Sequence, residues 1–387
     1  MLHTLAIANY RSLRELVVPL GQLNVITGAN GCGKSNLYRA FRLLSETALG
    51  GAVASIAREG GLPSVLWAGP ESFAKSVRRG EHPVQGGPRR ERVHLRMGFA
   101  GDDLSYAVDF GLPSPPFGSF GLDPEIKREC IWHGAVLRKA NAVVERHGAI
   151  VSTRGERGRW DVIAQHVPAY DSLLTHVADP RIAPEVLLLR ESIRSWRFYD
   201  HFRADTDAPA RQIQVGTRTP ALSHDGRDVA AALQTLREIG DGARLDEAVE
   251  DAFPGARIEV TVKDGRFGIE FRQHGLLRPL SQAELSDGTL RYLLWIAALL
   301  TPRPPELMVL NEPETSLHPD LMPALARLIE NASERSQILV VSHSTRLIAA
   351  LEPCKQSEPI RLYKDLGETH IEGQGRLDAP PWHWPER

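Results

Sequence analysis

The chain has 387 residues, with 46 lysines and arginines against 48 aspartates and glutamates, a formal net charge of −2 at pH 7. At 42% hydrophobic and 24% charged it has the make-up of an ordinary folded protein, which excludes a disordered or fibrous chain. The near-neutral balance also excludes a whole-molecule field that would draw it to nucleic acid. Its longest apolar run, 292–300, falls short of the ~20 residues that span a bilayer. Met1-Leu2-His3-Thr4 does not open a signal peptide, so cytoplasmic residence without a membrane partner is expected.

The three cysteines, Cys32, Cys130 and Cys354, form no pair at ligand spacing, which argues against a zinc site or a disulfide framework. The cations are mostly arginine, 39 against 7 lysines. Their clusters, Arg78-Arg79, Arg89-Arg90-Glu91-Arg92, 154–159 and 190–203, include or adjoin acidic residues and read individually as solvated faces.

In chain order, the alternation of Leu5 and Ile7, then of Leu16 and Val18, predicts strands, and 23–27 reads as a buried strand. It runs into Gly28-Ala29-Asn30-Gly31-Cys32-Gly33-Lys34-Ser35, followed by a helix over 35–44. Clean alternation over 93–99 and 104–110 about Gly101-Asp102-Asp103 predicts a hairpin. Pro113, Pro115, Pro116, Gly118 and Gly121 then mark a boundary. A polar meander (142–144, 149–153, 160–163) and helical segments over 170–202 make up an inserted region, with no heptad run long enough for a coiled-coil arm. A helical stripe of Val229, Leu233, Leu236 and Ile239 stops at Gly240, and a second hairpin joins 257–262 to 266–271. Ser286 opens an apolar helix to Leu300, and 307–310 and 337–341 read as buried strands.

G-x-x-x-x-G-K-S between a strand and a helix is the spacing that wraps backbone N–H groups around a nucleoside triphosphate, unless a glycine-rich turn has matched it by chance. In that reading Gly28, Ala29, Asn30, Gly31, Cys32 and Gly33 form the cradle, Lys34 reaches the β and γ phosphates, and the Ser35 hydroxyl takes a place on Mg²⁺. Cys32 is either a redox-sensitive point in that loop or a small residue at a tolerant position.

The strand 307–310 delivers Asn311-Glu312 to its C-terminal end, the position of a Walker B motif. Asn311 then helps to hold Mg²⁺ and Glu312 is the general base; the alternative is a glutamate that caps the next helix. His343, at the end of the next strand, is placed either to contact the γ-phosphate or to be a satisfied loop histidine. Leu285-Ser286-Asp287-Gly288-Thr289 is an anion site at a helix start, or a plain capped helix.

The order of these motifs is that of the ABC-type ATPases. The chain resembles the RecF/SMC-like branch, in particular the stand-alone AAA-15/AAA-21 ATPases. The carrying residues are Asn9-Tyr10-Arg11-Ser12, the loop ending in Lys34-Ser35-Asn36, Leu285-Ser286-Asp287-Gly288-Thr289, and Asn311-Glu312-Pro313-Glu314-Thr315-Ser316-Leu317-His318-Pro319. The resemblance implies an α/β P-loop NTPase fold of the ABC/RecF/SMC head type, with an antiparallel β lobe and an inserted α+β subdomain. Residues 1–110 and 226–387 would form the head and 111–225 the insertion.

It further implies ATP and Mg²⁺ as cofactors, with Asn36 adjoining the nucleotide. A homodimer would sandwich ATP between the phosphate loop of one copy and Ser286 and Gly288 of the other. Thr315 to His318 would be the D-loop and His343 the switch histidine, with Arg11-Ser12 near the nucleotide. Asn311 stands where an aspartate is common, so slow turnover is expected, and the Q-loop glutamine is marked only by position, at Gln85.

The first expectation is a slow ATPase acting on duplex DNA or a DNA-bound partner in repair, recombination or defence. The alternative is a nucleotide switch engaging a partner protein through 111–225. A transporter subunit is disfavoured by Leu-Ser-Asp-Gly-Thr and Asn-Glu-Pro-Glu. A C-terminal nuclease domain is disfavoured by the 44 residues after His343.

Overall fold

A computed structural model describes residues 1–73, 75–79, 81–84, 94–115, 118–155, 158–200, 202–375 and 377–386. The chain opens with β1 (Leu2–Tyr10), β2 (Leu13–Pro19), β3 (Leu23–Gly28) and α1 (Lys34–Leu49). Three short helices follow, α2 (Ala52–Arg58), α3 (Leu62–Val65) and α4 (Lys75–Arg78). Next come β4 (Leu95–Gly101), β5 (Leu104–Gly111), β6 (Glu125–His133), β7 (Ala142–His147), β8 (Ile150–Arg154) and β9 (Trp160–Ala164).

The middle continues with α5 (Leu173–His176), α6 (Pro184–Ser195), β10 (Arg197–Tyr199), β11 (Gln214–Val215), α7 (Val229–Ile239) and α8 (Gly242–Ala252). Then follow β12 (Arg257–Lys263), β13 (Arg266–Arg272), β14 (Leu280–Ser281), α9 (Asp287–Leu299) and β15 (Leu307–Asn311). The chain ends with α10 (Met322–Ser333), β16 (Gln337–Val341), α11 (Thr345–Leu351), β17 (Ser357–Asp365) and β18 (Glu368–Ile371).

Two compact units result. One comprises Met1–Gly21, Gly28–Ser195 and Ile360–Arg387, the other Gln22–Thr27 and Trp196–Pro359. Residues 111–225, expected as one insertion, are therefore shared between them. The Pro/Gly-rich stretch read as a boundary joins neighbouring strands instead, since β6 pairs with β5 along nearly its whole length.

The first unit is built on an eight-stranded antiparallel sheet in the order β2-β1-β4-β5-β6-β7-β8-β9. β4 begins at Leu95 among the described residues; Val93 and Gln85 lie outside them. α1 packs against β1 and β4 and against α2, α5 and α6. Its inward stripe is Leu37, Phe41, Leu44 and Ala48, at the i, i+4, i+7 spacing of one helix face. The helix runs past the expected end at 44 because no breaker intervenes before Gly50, whose left-handed φ of 76° caps it.

Within this sheet the carboxylate of Glu129 and the guanidinium of Arg146 pair at 3.0 Å with neither side chain exposed to solvent. Glu129 also accepts from the Tyr106 hydroxyl at 2.6 Å and Leu173 N–H at 2.8 Å, and from Ser172. Arg146 donates in addition to the carbonyls of Gly148, Pro168 and Asp171. Burial beside Glu129 pushes the Tyr106 hydroxyl well above its ordinary pKa, so it stays protonated and donates to that carboxylate.

The second unit holds the parallel strands β10, β15, β16 and β3, in that order. α9 is buried all round, from Leu290 to Leu299. It shares a core with Leu325 and Ile329 of α10, Leu347 of α11, and Leu23, Val25, Ile338 and Val340 of the strands; each such side chain contributes about 1.5–3 kcal/mol. A small antiparallel sheet, β11-β13-β12 with β14 on β13, adjoins α7 and α8. Residues 197–199, expected as helical, form β10, because Phe198 and Tyr199 bury against β15 at the sheet edge. No helix among the described residues is long and apolar enough to cross a membrane.

The Glu129–Arg146 cluster generates a stability prediction. Glu129→Ala leaves a buried guanidinium without its carboxylate and is expected to cost about 3–5 kcal/mol. Urea unfolding followed by circular dichroism would read this as a lowered midpoint, and an unchanged midpoint would show that the pair contributes nothing net.

Candidate functional site

Parallel pairing puts the ends of three strands level. Asn311 of β15 stands opposite Val341 of β16, and Val341 opposite Ile26 of β3. At the ~4.8 Å spacing of neighbouring strands, Asn311 and Ile26 lie about 10 Å apart in backbone terms. From Ile26 the chain passes through Thr27 directly into the glycine loop, and from Val341 into Ser342-His343-Ser344. The Asn311-Glu312 and Ser342-His343-Ser344 segments thus leave the ends of neighbouring strands of the second unit.

The loop is made by backbone conformations that glycine tolerates, with φ of 138° at Gly28, 77° at Gly31 and 116° at Gly33. A Cβ on Gly33 would fall 2.2 Å from the Thr369 hydroxyl, so this position has no room for a side chain. Ala29, Asn30 and Gly31 are exposed at the tip, as is Ser35 in the first turn of α1.

Lys34 is 4% exposed, and its Nζ donates to the carbonyls of Gly28 at 2.6 Å and Ala29 at 3.1 Å. Cys32 Sγ lies 3.8 Å away. No carboxylate pairs with this ammonium among the described residues. Cys32 is 2% exposed, which removes it from ready oxidation.

A chain of hydrogen bonds ties the loop from behind. Asn36 Nδ2 donates to Ser12 Oγ at 2.8 Å, Ser12 Oγ and Thr369 Oγ1 lie 2.7 Å apart, and Thr369 Oγ1 donates to the Cys32 carbonyl at 2.7 Å. Because Thr369 spends its one proton on Cys32, Ser12 donates to Thr369, and all four groups are satisfied in one direction. Thr369 N–H also donates to the Ser12 carbonyl. Arg11, expected near the nucleotide, instead pairs with Glu59 at 2.7 Å. Glu59 also accepts from Tyr10, and burial beside this carboxylate raises the Tyr10 pKa.

In the second unit, Glu312 and His343 meet: Glu312 Oε1 lies 3.1 Å from His343 Nε2, and both side chains are about two-fifths exposed. Glu312 has a left-handed backbone, φ 51°, at the point where the chain leaves β15. Such a conformation is uncommon for a non-glycine residue and costs of order 1–3 kcal/mol. Its N–H still donates to the Val341 carbonyl at 2.8 Å.

Ser286 caps α9, its Oγ accepting from Thr289 N–H at 3.1 Å, and is itself exposed. Gly288 lies against the segment expected to be the D-loop, with room for a Cβ 3.4 Å from the Ser316 carbonyl. Buried Arg291 joins the two stretches, donating to the carbonyls of Phe202 at 2.9 Å and Thr315 at 3.3 Å. Arg211 fixes the approach to α9 through the Leu285 carbonyl and the Asp287 carboxylate, both at 2.7 Å.

Nothing in the sequence assigns a role to Thr369, Arg291 or Arg211. Thr369 and Arg211 bond across 337 and 74 residues, where no local period signals them. Arg291 adjoins a recognised motif, and that proximity was the one available clue.

The G-x-x-x-x-G-K-S loop after β3 and, in the second unit, the Asn-Glu pair and histidine after adjacent parallel strands with the capped Ser-Asp-Gly-Thr helix are each features of an ATP-binding P-loop NTPase. The chain belongs to the family described as "AAA domain, putative AbiEii toxin, Type IV TA system", whose model matches residues 23–349. Among solved structures it is similar to an SMC head bound to the C-winged helix domain of ScpA, at 13% identity over 98% of this chain and 99% of that one, with a TM-score of 0.52. This likeness shows an SMC-head fold.

The SMC head domain from Thermotoga maritima matches at 14% identity over 96% of this chain and 97% of that one, TM-score 0.43. A third match, at 13% identity, covers 96% of this chain and 95% of that one with a TM-score of 0.48. It is an Smc head with an extended coiled coil bound to the C-terminal domain of ScpA, derived from Pyrococcus furiosus. No curated protein matches the chain.

Thr369→Val breaks the relay and leaves the Cys32 carbonyl without its donor, with an expected cost of about 1–3 kcal/mol. Thr369→Ser keeps the hydroxyl and should melt close to the parent in differential scanning calorimetry; equal melting of all three proteins would dismiss the relay.

Proposed function

We propose that the protein is a slow ATPase whose two copies pair through bound ATP and which acts on DNA or on a DNA-bound partner. The observation that carries the ATP reading is Lys34, a buried ammonium whose partners are two backbone carbonyls and a sulfur, with no carboxylate among the described residues. A buried cation without an anion is costly, and a phosphate arriving at the loop supplies one.

The left-handed glycines and the exposed tip fit the donors such a phosphate takes. Mg²⁺, when bound, would neutralise phosphate charge and polarise the scissile bond; Ser35 Oγ and the Asn311 amide oxygen are the residues proposed to hold it. Glu312 takes the proton of the attacking water, and His343, hydrogen-bonded to Glu312, steadies that carboxylate and faces the γ-phosphate. Asn36 supports the loop through Ser12 rather than by direct contact.

Exposure of Ser286 supports pairing with a second copy, since a capped helix start open to solvent is ready to receive a phosphate. Residues 111–225 are proposed to present the partner surface. Many arginines are already paired within the chain, among them Arg203 with Asp205, Arg272 with Glu259 and Arg278 with Glu284. The DNA contact is therefore confined to a local patch. Asn311, an amide in place of a carboxylate, favours a second reading: a switch that binds ATP, turns it over rarely and signals to a protein partner.

The steady-state rate of Mg-ATP hydrolysis, with and without duplex DNA, separates these readings. Turnover that DNA stimulates, and that Lys34→Ala, Glu312→Gln and excess EDTA each abolish, is the outcome expected for the DNA-directed ATPase; binding without turnover gives the switch the lead. In light scattering, Glu312→Gln with ATP should accumulate as a dimer and Ser286→Arg should remain a monomer that still binds ATP. A dimer of Ser286→Arg would remove the sandwich.

A further inference from the structure

Two residues beyond Glu312, the chain places a second carboxylate that the chemistry above does not use. The carbonyl of Glu312 accepts from Thr315 N–H at 3.0 Å, which folds residues 312–315 into a tight turn. Pro313 is buried inside it. The turn brings Glu314 under the loop that follows β16. There Glu314 Oε1 accepts three hydrogen bonds: from Ser342 Oγ at 2.7 Å, His343 N–H at 2.7 Å and Ser344 N–H at 3.0 Å. Ser342 Oγ in turn accepts from Ser344 N–H at 3.1 Å. The other carboxylate oxygen of Glu314, Oε2, is buried with no hydrogen-bond partner among the described residues.

We infer that Glu314 is the positioning residue of this site: one carboxylate oxygen clamps the Ser342-His343-Ser344 loop and so holds the His343 ring against Glu312. The role rests on the ATPase reading only for its consequence in turnover; the clamp itself is a property of the fold. Its geometry accounts for the arrangement on both sides. Glu312 and His343 follow different strands, 31 residues apart, and each is two-fifths exposed, so their 3.1 Å contact has little packing to maintain it. Glu314 links the same two strands from behind, with charge-assisted hydrogen bonds to backbone groups, which are stronger than neutral ones. A backbone held at two successive N–H groups leaves the histidine only its own side-chain torsions to vary. The unpaired Oε2 marks the carboxylate as placed for the loop rather than for its own solvation, because a half-satisfied buried oxygen is retained only against a compensating gain.

The roles of reach and charge can be separated. Glu314→Gln keeps an acceptor oxygen at the same reach and removes the charge, whereas Glu314→Asp keeps the charge and withdraws it by one methylene. Glu314→Ala removes both. Hydrogen–deuterium exchange of the full-length protein, read on the peptide containing residues 341–346, reports the clamp without reference to activity. Exchange at His343 and Ser344 should quicken by about tenfold or more in Glu314→Ala and Glu314→Asp, and by only a fewfold in Glu314→Gln, which keeps the reach and loses the charge assistance. ATP turnover should fall by about 100-fold in the same two variants, with affinity for a fluorescent ATP analogue unchanged, and recover to within a fewfold in Glu314→Gln.

If Glu314→Ala fails to fold, the contrast between Gln and Asp carries the same information. Unchanged exchange in Glu314→Asp overturns the clamp, as does equal loss in the Gln variant. A parent protein without turnover, but with the expected exchange pattern, would leave the clamp standing and refute the ATPase reading alone.

Discussion

The parallel register of β3, β16 and β15 is the constraint on which the chemistry of this molecule depends. Hydrogen bonding along these strands sets Ile26, Val341 and Asn311 level, so the three segments leaving the sheet start from one line about 10 Å wide. A slip by one residue would turn every side chain on the slipped strand to the other face. It would take Asn311 out of line and exchange the packing partners of the apolar runs 307–310 and 338–341, which are buried throughout. The core therefore enforces the site: the stability of Leu23, Val25, Ile338 and Val340 against α9 and α10 is what keeps the polar residues beyond them in register.

At the glycine loop the logic is reversed, because polar contacts rather than packing set the shape. Gly28, Gly31 and Gly33 take conformations that save the loop from side-chain collisions, yet glycine by itself leaves a loop free to move. The relay from Asn36 through Ser12 and Thr369 to the Cys32 carbonyl supplies the missing restraint. It draws on the first turn of α1, the β1–β2 turn and the β17–β18 hairpin, three places remote in sequence. Lys34 closes the loop from inside by bonding to Gly28 and Ala29. Those contacts satisfy its hydrogen-bonding capacity but not its charge, and this difference makes the loop receptive to an anion.

What could be read from the sequence follows the range of the interactions involved. The hairpins about Asp264-Gly265 and Gly101-Asp102-Asp103, the helix stripe on α7 and the cap at Ser286 depend on neighbours within a few residues, and each was legible. The phosphate loop was legible because its chemistry fixes the spacing of two glycines, a lysine and a serine. β10 was misread as helical since three residues, Arg197-Phe198-Tyr199, are too few to show a period, and their strand form comes from β15 alongside. The bounds of the insertion failed for a related reason. Proline and glycine mark a turn of the chain, but only strand pairing tells whether the chain departs or returns, and β6 returns to β5. Arg11 was placed near the nucleotide by resemblance, whereas Glu59, 48 residues on, captures it.

The helix start at Ser286 and the segment after Asn311-Glu312 are parts of one body rather than two adjacent features. Gly288 lies against the Ser316 carbonyl, and Arg291, one turn further along α9, bonds to Thr315. Desolvation lowers the pKa of this guanidinium, yet it stays charged at any physiological pH, so its two carbonyl contacts are charge-assisted. Glu312, Glu314 and Thr315 are themselves joined in a tight turn. Any displacement of α9 must therefore pull on the carbonyl of Thr315, three residues from the left-handed Glu312. One buried arginine and one turn thus separate the surface around Ser286 from the Glu312–His343 contact.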